Sequence, residues 1–144
     1  MSDRELKYIE PDGLHSMWAV INADLLVCLK QDNDHCLAED VYHYLKAGAA
    51  TLHIGSVDGE YVGFVILQQS KKFIRQPNLH VWFCTQKNGH SMTDLFQEDL
   101  EQLGRNINAR LLTYKSNRKG IGKLFKDFDV LETTYYKEID YENK

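Results

Sequence analysis

The most informative pattern of apolar and polar positions runs from Asn78 to Leu103. Its first part, 78–85, is apolar, β-branched and aromatic, which predicts a strand buried on at least one face. Its last part, 92–103, repeats apolar residues at helical spacing with charges between them, which predicts an amphipathic helix. The apolar stripe of that helix consists of Met92, Leu95, Phe96, Leu100 and Leu103. A short polar loop with one glycine, 86–91, joins the predicted strand to the predicted helix.

This loop is the first candidate binding site. Where a buried strand ends and a helix begins, backbone N–H groups and the positive end of the helix dipole favour a phosphate or another anion. Glycine is also the ordinary residue of a turn, so a strand, turn and helix without a ligand explains the same pattern. Both interpretations stay open on the pattern alone.

Before this segment, the pattern predicts a short strand, two helices and a hairpin. The predicted ranges are Glu5–Ile9 for the strand, Leu14–Leu29 and Cys36–Ala47 for the helices, and Ala50–Ser56 and Glu60–Gln69 for the hairpin strands. Asp34 is expected to cap the second helix. Asp58 and Gly59 signal a tight hairpin turn, and Gly63 inside a strand indicates a bulge or the close approach of another backbone.

After the segment, the pattern predicts a strand, a short helix and a last strand. Their ranges are Ala109–Lys115, Asn117–Phe128 and Val130–Ile139. Gly104 and Asn106 are expected to end the central helix, and the acidic tail 140–144 is expected to fray. Since no repeat or linker interrupts the pattern, residues 1–144 are expected to form a single domain.

Length, charge, hydropathy and cysteine content limit the class of protein to which this chain can belong. A chain of 144 residues can bury its own core. A net charge of −4, with 26% charged residues, describes a soluble globular protein and argues against nucleic-acid binding. No apolar run approaches the roughly eighteen residues of a membrane span, and the polar first residues do not begin a signal peptide. Three cysteines without a CxxC pair argue against a disulfide framework. We expect a cytoplasmic protein that does not enter a membrane.

Two short motifs add candidate binding residues to this order of elements. Gln86, Gly89 and Ser91 follow the buried strand at i, i+3 and i+5. Asn117 begins the next predicted helix, which carries Phe125 and Phe128.

The order of elements and the two motifs resemble the GCN5-related N-acetyltransferase (GNAT) superfamily, onto which residues 6–139 can be placed. The family's acetyl-coenzyme A loop follows the fourth strand with the pattern Gln/Arg-x-x-Gly-x-Gly/Ala. Gln86 and Gly89 match this pattern, whereas Ser91 departs from it. Asp127 also stands where the family has a glycine. The resemblance implies an α+β fold with a mixed, mostly antiparallel central sheet, flanking helices, and splayed fourth and fifth strands.

The resemblance also implies a co-substrate, acetyl-coenzyme A, an amine acceptor and no metal. The coenzyme's pantetheine arm would bond to the backbone of the fourth strand and its phosphates to the loop. The implied coenzyme-binding residues are Phe83, Cys84, Thr85, Gln86, Lys87, Asn88, Gly89, His90, Ser91 and Asn117.

The resemblance leaves the catalytic base and acid open. A Glu that the family often has near the start of the fourth strand is missing, which leaves His80, or Glu60 through a water, as the base. Histidine has an unperturbed pKa of about 6.5, which suits a base, although a strand histidine is as often a packing residue. The family's acid is usually a Tyr on the helix after the fifth strand, where this chain has Leu124 and Phe125. Tyr114 on the preceding strand is the substitute candidate.

Two alternative sites are weaker. The run Asn117–Gly122 has two glycines and basic neighbours that suit phosphate, but only 22 residues follow it, too few for the elements that the family places after its loop. Cys36, Asp40 and His43 share one predicted helix face but lack the fourth ligand of a closed metal site.

Two functional classes remain. One is an acetyl-coenzyme A-dependent N-acetyltransferase acting on an unidentified amine. The other is a catalytically degenerate binding or structural protein of the same fold, favoured by Ser91 and by the missing acid tyrosine. Small degenerate members of the superfamily occur in bacteriophages, some of them as virion-associated proteins, so the resemblance suggests such an origin. A monomer and a homodimer are both compatible with the sequence.

Overall fold

Up to residue 114, the strands and helices follow the predicted order. The computed structural model describes residues 3–32, 36–70, 77–87 and 90–114, together with Lys137 and Ile139. Its strands are β1 (Arg4–Ile9), β2 (Thr51–Val57), β3 (Glu60–Ser70), β4 (Asn78–Cys84), β5 (Gln86–Lys87), β6 (His90–Ser91) and β7 (Leu111–Tyr114). Its helices are α1 (Leu14–Asp32), α2 (Ala38–Lys46), α3 (Met92–Leu95) and α4 (Gln97–Asn106), with a 3₁₀ turn at Pro11–Gly13 before α1.

Five strands form one sheet in the order β1-β2-β3-β4-β7. Every pair in this sheet is antiparallel except β4 and β7, which are parallel. A parallel pair needs a long crossover, and α3 and α4 supply it between β4 and β7. The predicted α+β architecture with a mixed, mostly antiparallel sheet is therefore confirmed.

The sheet separates two apolar cores. The first core lies between the sheet and α1 and α2, and it is formed by Leu14, Ile21, Leu25, Cys28, Val41, Leu45, Ala50, Leu52, Phe64, Ile66 and Phe83. The second core lies between the sheet and α3 and α4, and it is formed by Val65, Leu67, Leu79, Val81, Cys84, Met92, Phe96 and Leu100. Alternate residues of β3 contribute to opposite cores, as the period of a strand requires.

The hairpin between β2 and β3 agrees with its sequence signals. Asp58 and Gly59 both have positive φ, 53° and 83°, which is the conformation that a tight hairpin turn requires. The pairing of β2 with β3 shifts beside Gly63, as the glycine predicts. Gly63 has φ 152°, and a Cβ there would collide with Thr85 Oγ1 and lie 2.9 Å from Met92 Sδ. Gly63 thus lets the residue after β4 approach β3 closely.

Three local predictions were wrong in detail. The central helix is divided into α3 and α4 at the fully buried Phe96, whose backbone leaves helical geometry at φ −121°, ψ 26°. Gly104 does not end α4 but lies buried within it, packed near Leu79 and Ala109. The second helix begins at Ala38 rather than Cys36, because the Asp40 carboxylate accepts the Leu37 N–H at 2.9 Å and caps the helix there.

Several sequence predictions lie outside the described residues. They are the Asp34 cap, Asn88 and Gly89 of the loop, Asn117, the helix 117–128, the alternative loop Asn117–Gly122, most of the strand 130–139, and the tail 140–144. Among the helices of the described part, none combines the length and hydropathy that crossing a bilayer requires.

Candidate functional site

The end of β4 has an irregular register that changes which face its residues occupy. Val81 pairs with Leu67 and Phe83 with Ile66, so Trp82 is an extra residue opposite no partner in β3. This arrangement is a β-bulge, which bends and twists a strand locally. Trp82 and Phe83 both face the core beneath α1 and α2, with ring centroids 4.9 Å apart. The bulge at Trp82 therefore puts two consecutive aromatic side chains on one face of the sheet, just before β4 ends at Cys84.

The residues of β4 before the bulge pair in parallel with β7. The pairing runs from Asn78 opposite Leu111 to Val81 opposite Tyr114. The segment that the resemblance assigns to the pantetheine arm, 83–85, follows these paired residues along the chain.

Thr85 fixes the chain directly after β4. Its N–H donates to the Phe64 carbonyl oxygen at 3.2 Å, and its Oγ1 accepts the Phe64 N–H at 3.1 Å. Its own carbonyl oxygen accepts the N–H of Met92, the first residue of α3, at 3.2 Å. The end of β4 and the start of α3 are therefore tied to each other and to β3.

The predicted polar loop is a small hairpin rather than an irregular loop. Gln86 of β5 pairs with Ser91 of β6, and Lys87 pairs with His90. Asn88 and Gly89, which connect these pairs, lie outside the described residues. The predicted sequence of strand, polar connection and helix is confirmed, and the hairpin brings the two ends of the connection together beside Thr85.

His80 lies on β4, two residues before the bulge and on the same face as Trp82. Its Nδ1 is 2.8 Å from Thr113 Oγ1 on β7, and the imidazole is half-buried. The contact with Thr113 fixes the orientation of the imidazole between β4 and β7.

Tyr114 lies on the opposite face of the sheet from His80. It packs with Leu112 against the core beneath α3 and α4, and its hydroxyl is 3.6 Å from Cys84 Sγ. The structure thus brings Tyr114 to the end of β4, but it does not bring the two catalytic candidates together on one face. Phe83 is a buried core side chain, so a role in binding would fall to its backbone.

A polar cluster that the sequence did not reveal lies beneath α1. The Tyr61 hydroxyl donates to Asp24 Oδ2 at 2.8 Å. Burial raises the pKa of Tyr61, and the hydrogen bond to Asp24, the charge of Asp24 and nearby Cys28 raise it further, so the phenol stays protonated. Cys28 Sγ lies 3.6 Å from the carbonyl oxygen of Cys84. The sequence does contain one signal for this cluster: Asp24 is a carboxylate three residues after Ile21, on the otherwise apolar stripe of α1.

The three residues that have the spacing of metal ligands in the sequence do not form a metal site in the structure. Cys36 precedes α2 and Asp40 caps it, so Cys36, Asp40 and His43 do not share one helix face. Within the described ranges, no three His, Cys, Asp or Glu side chains come close enough to hold a metal ion.

The fold is that of the GCN5-related N-acetyltransferases. Ribosomal-protein-alanine N-acetyltransferase from Brucella melitensis biovar Abortus 2308 superimposes with a TM-score of 0.67 at 19% identity, covering 97% of this chain and 100% of that one. An aminoglycoside acetyltransferase from an uncultured soil metagenomic sample superimposes with a TM-score of 0.66 at 13% identity, covering 96% and 98%.

A third similar structure contains a bound coenzyme derivative. AAC(6')-Iy, solved with the bisubstrate analogue CoA-S-monomethyl-acetylneamine, has a TM-score of 0.64 at 11% identity and covers 96% of this chain and 99% of that one. At such identities the similarity concerns the fold. Neither a protein-family model nor a curated protein matches the chain.

Proposed function

We propose that the protein transfers an acetyl group from acetyl-coenzyme A to an amine. The observation that carries the proposal is the bulge at Trp82, near the end of the strand β4 that pairs in parallel with β7. A bulge re-aims the groups beside it and is often found next to active sites. The similar fold of an acetyltransferase solved with a coenzyme A bisubstrate analogue supports the assignment.

In this proposal the backbone of 83–85 holds the pantetheine arm, and the connection Gln86–Ser91 and Asn117 meet the phosphates. Backbone N–H groups near the bulge stabilise the oxyanion that forms when the amine attacks the thioester. His80, whose imidazole is oriented by Thr113, accepts the proton of the attacking amine. Tyr114, whose hydroxyl lies beside Cys84 on the opposite face of the sheet from His80, is the candidate proton donor to the leaving thiolate.

Calorimetric titration with acetyl-coenzyme A tests the binding step. We expect Gly89→Val to weaken binding by at least about tenfold, or about 1.4 kcal/mol, because a branched side chain would obstruct the approach of phosphate to the backbone. Gly13→Ala is the control, since a Cβ at Gly13 makes only an ordinary 3.6 Å contact with Ile9. Equal affinity of folded Gly89→Val and the parent would contradict the assignment of this loop.

The second candidate function is a non-catalytic binding or structural protein, including a virion-associated one. One observation favours it: the Tyr114 hydroxyl lies 3.6 Å from Cys84 Sγ, on the path assigned to the pantetheine arm. If this phenol keeps its position, it obstructs the coenzyme. Failure of the folded parent to bind acetyl-coenzyme A would support this second function.

A further inference from the structure

The strand β1 stands first in the order of the central sheet. Among the described strands, it pairs with β2 alone. This pairing is regular over all six residues of β1, from Arg4 opposite Val57 to Ile9 opposite Leu52. Prolines and bulges often protect the edge of a sheet from pairing with other chains, and β1 contains neither. The side of β1 that faces away from β2 is therefore a regular edge to which another strand can pair.

The hydrogen bonds of Asp3 show which backbone groups of β1 face this edge. The Asp3 carbonyl oxygen accepts the Asp58 N–H at 2.7 Å, and the Asp3 N–H donates to Asp58 Oδ1 at 2.8 Å. Asp3 therefore directs both groups toward the hairpin of β2 and β3. Successive residues of an antiparallel strand direct their N–H and C=O groups to alternate sides. The residues whose backbone groups face away from β2 are consequently Arg4, Leu6 and Tyr8.

The charges of β1 favour one register with a second copy of the same strand. Two identical antiparallel strands must be centred on a residue, because only then do outward-facing groups meet outward-facing groups. When the pair is centred on Leu6, Glu5 of each copy lies directly opposite Lys7 of the other. When it is centred on Glu5 or on Lys7, two like charges lie opposite each other, which destabilises a sheet. The sequence of β1 is thus complementary to itself about Leu6.

We propose that two copies of this chain associate through β1, paired antiparallel and centred on Leu6. The two central sheets then form one continuous sheet, joined by about six hydrogen bonds between the outward-facing backbone groups. Glu5 and Lys7, which are both exposed, form a charge pair on each side of the centre. The remaining outward pair, Arg4 opposite Tyr8, brings no like charges together. Because each copy contributes the same surface, the association closes as a dimer.

The same charges explain why β1 would not pair with strands at random. Charged side chains on an edge strand ordinarily prevent other chains from adding to a sheet, because most registers bring like charges together or leave a charge without a partner. In β1 they disfavour the neighbouring registers and match a second copy in the Leu6 register. A charge pattern that excludes wrong partners and accepts one is a source of specificity.

Sedimentation velocity over a range of protein concentrations tests the proposal. The parent is expected to show a reversible monomer–dimer equilibrium that weakens as the salt concentration rises, because the Glu5–Lys7 pairs are exposed. We expect Lys7→Glu to raise the dissociation constant of the dimer at least about tenfold, since both pairs become repulsive. The double variant Glu5→Lys, Lys7→Glu restores opposite charges, so its dissociation constant should return to within about threefold of that of the parent.

A control variant and a second measurement complete the test. Lys30→Glu, at an exposed lysine of α1, makes the same change in net charge outside β1 and should leave the dissociation constant unchanged. Circular dichroism verifies that each variant is folded. Hydrogen exchange of the parent, followed by NMR, needs no variant: the N–H groups of Leu6 and Tyr8 should gain protection as the protein concentration rises, whereas those of Glu5 and Lys7, directed toward β2, should not.

Three results would overturn the proposal. The first is a parent that stays monomeric at every concentration. The second is a dimer whose dissociation constant is the same in Lys7→Glu and the parent, which would mean that the copies meet on another surface. The third is concentration-dependent protection that does not alternate along β1. Each of these results is independent of acetyl-coenzyme A binding, so the proposed function and the dimer are tested separately.

Discussion

At the scale of single residues, His80 is the side chain on which the proposed chemistry depends most. It lies on the same strand as the bulge, and Thr113 of the neighbouring strand contacts its Nδ1 at 2.8 Å. A hydroxyl that engages one ring nitrogen fixes the orientation of the imidazole and directs the other nitrogen. This contact suits a base, although the same contact would stabilise a histidine that only packs between β4 and β7.

Replacing His80 distinguishes these two roles. We expect His80→Ala to lower turnover by roughly 10²–10⁴-fold, the usual contribution of a positioned base, while the dissociation constant of acetyl-coenzyme A stays nearly unchanged. Steady-state kinetics at neutral pH and calorimetry measure the two quantities. Thr113→Val keeps the imidazole but removes its partner, so it should shift the pH profile of turnover. A change in turnover of less than about threefold in His80→Ala would show that His80 only packs.

At the scale of elements, β4 is the strand of the central sheet that carries the bulge and His80. Its bulge places Trp82 and Phe83 on one face, after which Cys84 returns to the other. Deleting Trp82 would remove the extra residue while every other residue of β4 keeps its face. Mutating Trp82 to alanine would instead keep the bulge and remove the ring, which packs against Tyr44 at a centroid distance of 5.3 Å.

The two Trp82 variants therefore separate the bulge from the side chain. We expect the deletion of Trp82 to weaken acetyl-coenzyme A binding at least tenfold, about 1.4 kcal/mol, because the backbone groups at the end of β4 lose their direction. Trp82→Ala should bind the coenzyme within about threefold of the parent, even though it loses stability. Calorimetry on folded samples of both variants measures the difference. Equal affinities of the two variants would exclude the bulge as the determinant.

The elements also show which parts of the site the sequence can reveal. The strand, the connection and the helix between 78 and 106 were predictable because apolar periodicity is a local signal. The bulge at Trp82 was not, because it is a property of the register between β3 and β4 rather than of either strand alone. Asp24 and Tyr61 are 37 residues apart, so no local pattern joins them. The irregular pairing beside Gly63 was predictable, because a glycine inside a strand indicates a bulge or the close approach of another backbone.

At the scale of the whole molecule, the middle strands of the central sheet are packed between two layers of helices, and the titratable ring of His53 is buried there. His53 of β2 is 6% exposed. Its Nε2 lies 3.0 Å from Thr51 Oγ1, and its ring centroid is 5.5 Å from that of Tyr8 on β1. Burial lowers the pKa of His53 to about 4. The folded protein therefore holds this imidazole neutral over a range in which an unfolded chain would protonate it.

This difference makes the stability of the fold depend on pH between about 4 and 6.5. The unfolded pKa, about 6.5, exceeds the folded one, so the unfolded state binds the proton more tightly and stability falls as the pH falls through this window. From pH 7.5 to pH 5, His53 should lower the free energy of unfolding by about 2 kcal/mol. Urea unfolding followed by circular dichroism at both pH values measures the loss. His53→Gln should reduce it by about that amount, whereas His15→Gln, at an exposed histidine of α1, should not. An equal loss in His53→Gln and the parent would mean that His53 is not the group that titrates.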